Sequence, residues 1–273
     1  MTTPTRTPPL LAAHIANRYA ALPQVEAVAL AGSQTSGVAD PGSDIDLYVY
    51  LTADLPVSER RRIASTESHA PEVDNQFWEP GDEWVDAPSG IHVDVMFRST
   101  AWLEDQLDRV LNRYQASVGY STCFWDNVLV SRALFDRDGW FAGVQETARQ
   151  PYPDELRRAI VAKNHPILRG THSSYLYQLR RAVARGDQVS VNHRIAALLA
   201  SVFDILFAVN RVPHPGEKRL LALVEARCAK VPAGFAAQVN ALVTGEGEVV
   251  EGVNALLDGL DRLLKVEGLN ATF

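Results

Sequence analysis

The chain is 273 residues long, with 47% hydrophobic and 22% charged residues, more than one compact core usually holds, so two domains are expected. A formal net charge of -7 and a pI near 5.5 exclude the broad basic field by which proteins grip a phosphate backbone. Cys123 and Cys228 lie far apart in the sequence, which gives neither a disulfide framework nor a cysteine zinc site and points to a reducing compartment.

Residues 1–9 are rich in Thr and Pro and lack the basic-then-apolar order of a signal peptide. No apolar run reads as long enough to cross a bilayer, so the expected setting is cytoplasmic, without a membrane. Residues 10–22 carry apolar side chains at helical spacing and predict an opening helix. Residues 25–31 are apolar, end in Gly32-Ser33, and predict a buried strand running into a tight turn. A small, polar loop containing Gly and Pro follows over 34–43.

Residues 44–51 alternate with period two and predict a half-buried strand. Asp44, Asp46, Tyr48 and Tyr50 point one way; Ile45, Leu47, Val49 and Leu51 point the other. Residues 58–65 predict a short helix, where the run Arg60-Arg61-Arg62 reads either as a basic patch or as a solvated helix face. Two further strands are predicted at 73–78 and 90–97, separated by an acidic Gly/Pro loop. In the second, His92, Asp94 and Met96 share a face opposite Ile91, Val93 and Val95. From residue 101 onward the periods are helical, at 102–114, 153–167, 174–185, 191–209, 217–230 and 248–264. The expected fold class is therefore α+β: a small mixed sheet with helices on one face over 1–115, then an all-α bundle over 116–273.

The chemistry concentrates in Gly32-Ser33, Ser43-Asp44-Ile45-Asp46-Leu47 and Val93-Asp94-Val95. Two aspartates one residue apart on a strand lie on the same face, close enough to share a metal ion. Asp94 occupies the same alternating context on another predicted strand. Hard oxygen ligands of this kind suit Mg2+, which keeps waters and substrate phosphates as its other ligands. Gly32 lets backbone approach a phosphate, and the Ser33 hydroxyl can donate to a phosphate oxygen. The bland alternative is a Gly-Ser turn followed by a surface strand with incidental aspartates.

This ordered set resembles the DNA polymerase β-type nucleotidyltransferases, and the helical second half resembles the antibiotic nucleotidyltransferases that adenylylate aminoglycosides or lincosamides. The specific resemblance covers roughly 25–100. It implies that Gly32 and Ser33, with Ser43 nearby, bind the donor nucleotide, that Asp44 and Asp46 bind metal, and that Asp94 completes the metal site or helps activate the acceptor. Many relatives carry an arginine in the loop that spans 34–43 here, and this chain has none. Lys218, at the start of a predicted helix, is the candidate basic partner for the triphosphate.

Other residues carry two readings each. His92 either lines the site or is a satisfied histidine beside it. The acidic set Glu72, Asp74, Glu79, Asp82, Glu83 and Asp86 either holds a cationic acceptor or is a solvated loop. Asp204, on a small-residue face with Ala197, Ala200, Ser201 and Ala208, is either the general base or an aspartate paired with an arginine. Glu217 is a second candidate base. The glycine spacing from Gly32 to Gly37 is that of a Walker loop, but Val38 stands where its lysine belongs.

The resulting expectation is Mg2+-dependent transfer of AMP from ATP to a hydroxyl of a small molecule, with pyrophosphate released. The alternatives are a protein acceptor or a non-catalytic nucleotide-binding module. A nucleic-acid partner is disfavoured by the net charge, and a homodimer is left open.

Overall fold

The computed structural model describes residues 7–32, 44–77 and 79–269. The chain divides into two compact units, Met1–Leu107 with Asn127–Gln150, and Asp108–Asp126 with Pro151–Phe273.

In the first unit, α1 (Pro8–Ala20) leads into β1 (Val25–Leu30), followed by β2 (Ile45–Leu51), α2 (Val57–Ala64), β3 (Ser68–Asn75), β4 (Gly81–Asp86) and β5 (His92–Ser99). Most of α3 (Thr100–Leu111), the end of α4 (Cys123–Val130), β6 (Arg132–Asp136) and α5 (Trp140–Ala148) complete it. The strands form one sheet in the order β3-β4-β5-β2-β1-β6. β2 runs parallel to β5, and its other neighbour, β1, is antiparallel to both β2 and β6.

Period-two alternation decides which side chains meet. Ile45, Leu47 and Val49 join Val93 and Val95 on one face, against Leu11, Ile15 and Tyr19 of α1 and Ile63 of α2. Each such fully buried side chain stabilises by roughly 1.5–3 kcal/mol. The α+β class, a mixed sheet with helices followed by a helical region, is as expected, but the opposite face of β2 was expected to be open. Instead β2 is buried on both faces beyond Asp46. Tyr50 stacks on Phe141 of α5 with ring centroids 5.3 Å apart, and the Arg98 guanidinium lies 4.0 Å from the centre of the Tyr48 ring. A tyrosine reads as polar in an alternation pattern, yet its ring is large enough to need cover.

β4 occupies the stretch expected to be an acidic loop. Its charges are satisfied one by one. Asp82, fully buried, takes Arg60 Nη2 at 2.6 Å and Arg60 Nε at 3.1 Å, and Asp86 accepts from the Ser89 hydroxyl at 2.5 Å. Arg60 is therefore a buried ion-pair partner, whereas Arg61 and Arg62 are exposed. β6 and α5 fall in a stretch where the sequence offered no element, and α5 places Tyr50's cover.

The second unit holds α6 (Asp154–Arg169), α7 (Tyr175–Ala184), α8 (Gln188–Val209), α9 (Leu220–Arg227), α10 (Phe235–Thr244) and α11 (Val249–Val266). α8 is its axis. Leu198, Val202, Ile205 and Leu206 are buried among Leu179, Val224, Val239 and Leu260 of the surrounding helices. Asp187 caps α8 by accepting from Ser190 N at 3.0 Å, and Ser174 caps α7. By length and composition α8 would pass as a membrane span, contrary to the sequence expectation; 67% of its most apolar window is buried within this protein, as in a core helix.

Candidate functional site

Parallel pairing of β2 with β5 sets Asp46 directly opposite Asp94. Antiparallel pairing then sets Glu83 of β4 opposite Asp94, and Glu72 of β3 opposite Glu83. Four carboxylates thus form one row across four neighbouring strands, at a spacing of about 4.8 Å per strand. Asp44 lies one residue before β2 and is exposed. Among the described residues, no group of three or more acidic, His or Cys side chains closes into a cluster that could hold a metal ion by itself.

The row is electrostatically tense. Burial, then Glu83, then Asp46 push the Asp94 carboxyl up to about 6, with Asp44 adding to the rise and His92 partly offsetting it. Glu83 is steadied by Asn75 Nδ2, which donates to its Oε1 at 2.9 Å, and His92 Nε2 lies 3.8 Å from its other oxygen. His92 accordingly stands beside the row on its Glu83 side. Reading along the chain placed Glu83 in a loop. The signal that would have found it is Trp84-Val85 among the acids, a β-favouring pair inside a polar run.

Gly32 closes the other end. Ala31 N donates to the Asp46 carbonyl at 2.9 Å, which carries the chain past Asp46 as β1 ends. Gly32 has φ +64°, and a Cβ there would fall 1.8 Å from Asp46 Oδ2. Only a glycine leaves the carboxylate its place. Ser33 and Ser43 lie outside the described residues.

The donor set fits a divalent cation in one specific sense. Carboxylate oxygens are hard ligands, and Mg2+ commonly takes one or two of them and fills its remaining positions with waters and substrate phosphates. Asp44, Asp46 and Asp94 offer that kind of open, anionic edge, beside a glycine that keeps side-chain bulk away.

The remaining candidates belong to the second unit. Asp204, on α8, is 1% exposed and accepts hydrogen bonds from Ser121 N (3.0 Å), Ser121 Oγ (2.6 Å) and Asn164 Nδ2 (3.2 Å). Asn164 in turn accepts from Gly119 N at 2.9 Å. Together they clamp the 117–121 turn onto α6 and α8, a positioning role made by serine and asparagine in place of the arginine considered from sequence. Burial pushes the Asp204 carboxyl up to about 6 against these stabilising bonds. Lys218 and Glu217 are exposed in the turn before α9.

Register-matched carboxylates beside a glycine turn lie within the stretch that one family model matches. Residues 14–117 match the nucleotidyltransferase domain family, and residues 127–220 match a family described as a domain of unknown function (DUF4037). Among solved structures, a nucleotidyltransferase-like protein from Exiguobacterium sibiricum 255-15 is similar over 94% of this chain and 74% of that one, with 14% identity and a TM-score of 0.45. No curated protein matches.

Proposed function

We propose that the chain transfers a nucleoside monophosphate, AMP from ATP, to a hydroxyl of a small molecule such as an aminoglycoside or lincosamide, releasing pyrophosphate. The observation that carries this reading is the register of Asp46 opposite Asp94 on adjacent parallel strands, with Gly32 against the Asp46 carboxylate. Asp44, Asp46 and Asp94 would hold Mg2+, which when bound neutralises charge on the phosphates and on the attacking and leaving oxygens. Gly32 keeps the donor side of Asp46 clear, and Ser33, Ser43 and Lys218 are the proposed contacts to the nucleotide.

In the reaction the acceptor hydroxyl oxygen bonds to the α-phosphorus, the bond from that phosphorus to the pyrophosphate oxygen breaks, and the hydroxyl proton passes to a carboxylate. Asp94 suits that last role better than Asp204, because the Asp204 oxygens already accept from Ser121 and Asn164. Catalysis is then mainly positioning and charge complementarity. The test is pyrophosphate release from Mg·ATP with a panel of aminoglycosides and lincosamides, comparing the unaltered protein with Asp46→Ala. Release that requires one acceptor and vanishes in the variant supports the proposal. Binding of Mg·ATP without release by any acceptor removes the antibiotic assignment and leaves the donor site.

A further inference from the structure

The outer face of α7 differs from the rest of this acidic chain. Helical spacing puts Tyr177, Arg180, Arg181, Ala184 and, at the C-cap, Arg185 on one side, while Leu176, Leu179 and Ala182 turn into the core. Tyr177 is 48% exposed, and the Arg181 guanidinium lies 5.9 Å from the centre of its ring. The three arginines are exposed.

Nearby carboxylates are already engaged. Asp187 caps α8 through Ser190 and sits 3.8 Å from Arg185. On α11, which packs against α7, Asp258 and Asp261 pair with Arg169, and Asp261 also with His165. Among the described residues, neither Arg180 nor Arg181 has a carboxylate within 4.0 Å. The net charge of -7 does not cancel this face, because charges beyond about 10 Å are largely screened at 0.1 M salt.

We infer that this face of α7 is a docking surface for single-stranded nucleic acid. Arginine is the cation whose planar fork matches phosphate oxygens, and an exposed tyrosine offers a ring on which a base can stack. An acidic polypeptide would satisfy the charges but has less use for the ring. This inference stands apart from the donor-site reading, since it concerns other residues and a binding measurement.

The experiment is fluorescence anisotropy of a labelled oligouridylate with the full chain, titrated between about 50 and 200 mM salt. The unaltered protein is expected to bind. Arg180→Glu/Arg181→Glu is expected to weaken binding at least about tenfold and to flatten the log–log salt slope by about 1.4, the loss of two phosphate contacts. Tyr177→Ala is expected to weaken binding about tenfold with the slope unchanged, because stacking releases no counterions. All these positions are exposed, so folding is checked simply by an unchanged melting curve. Absence of binding by the unaltered protein overturns the inference, as does undiminished binding in the arginine double variant. Displacement of the oligonucleotide by polyglutamate at equal charge overturns it in favour of an acidic polypeptide partner.

Discussion

Gly32 and Asp46 are mutually dependent: any side chain at position 32 would have its first carbon 1.8 Å from Asp46 Oδ2. The backbone there is also left-handed, which costs a non-glycine residue about 1–2 kcal/mol. Gly32→Ala should therefore lower stability by at least that amount in urea titration, and should weaken Mg·ATP binding in calorimetry because the carboxylate has to move. A variant unchanged in both measurements would show that the turn yields freely and that the site does not depend on it.

Asp94 is expected to trade stability for activity. Its raised carboxyl pKa, about 6 against an ordinary 3.8, means that the folded state favours the protonated form. The stabilisation so gained is complete below pH 3.8 and lost as pH rises through about 6, leaving a net cost at neutral pH. Asp94→Asn should thus melt higher than the unaltered protein at pH 7.5 without metal. In the transfer assay the same variant should fall by about 100-fold or more, the scale seen when one preorganised electrostatic group is removed. A variant that melts lower while retaining activity contradicts both expectations.

In the second unit two buried groups titrate in opposite senses. Burial holds His214 down at about 4, so its contribution is present above pH 6.5 and is lost as pH falls toward 4. Asp204, raised to about 6, contributes most below pH 3.8 and loses that contribution as pH rises through 6. Each effect is on the order of 3 kcal/mol, and over pH 4–6 they largely offset one another. Asp204→Asn should consequently become more acid-sensitive than the unaltered protein in melting curves run across pH 4–7. Equal pH slopes for the two proteins would show that Asp204 is not the compensating group.

Arg60 and Asp82 form a buried pair beneath β4, with Asp82 fully inaccessible and Arg60 Nη2 at 2.6 Å. Arg60→Met strands the carboxylate and should cost about 3–5 kcal/mol in urea unfolding. Arg60→Met combined with Asp82→Leu should recover most of that loss, because the buried charge is removed together with its partner. If the double variant is as unstable as the single one, the guanidinium contributes chiefly through its packing 4.2 Å from the Phe97 ring centre.

The legible parts of the fold were those with clean periods. Leu47 and Val49 on β2, Val93 and Val95 on β5, and the apolar stripe of α8 all announce their faces, because burial on one side imposes a repeat. β4 did not, since Asp82, Glu83 and Asp86 look solvated until their partners are in place: Arg60 from 22 residues away, Asn75 across the β3–β4 pairing and Ser89 in the turn that follows. The same blindness hid Glu83 from the list of site carboxylates: its place beside Asp94 is a fact of strand register, which no local pattern contains. Asp204 was visible as an oddity among small residues, but its partners Ser121 and Asn164 lie 83 and 40 residues away in sequence.

The parallel pairing of β2 with β5 also works as a proofreading device. Slipping one strand by a single residue would turn every side chain over. Asp46 would then stand opposite Val93 or Val95, and the two strands would disagree about which face is apolar. The hydrophobic layer beneath the sheet tolerates no such arrangement, since it would bury a carboxylate among Leu11, Ile15 and Tyr19. Oil, in effect, checks the placement of charge: the alignment of acidic groups above the sheet is enforced by residues on its far side that never meet a substrate.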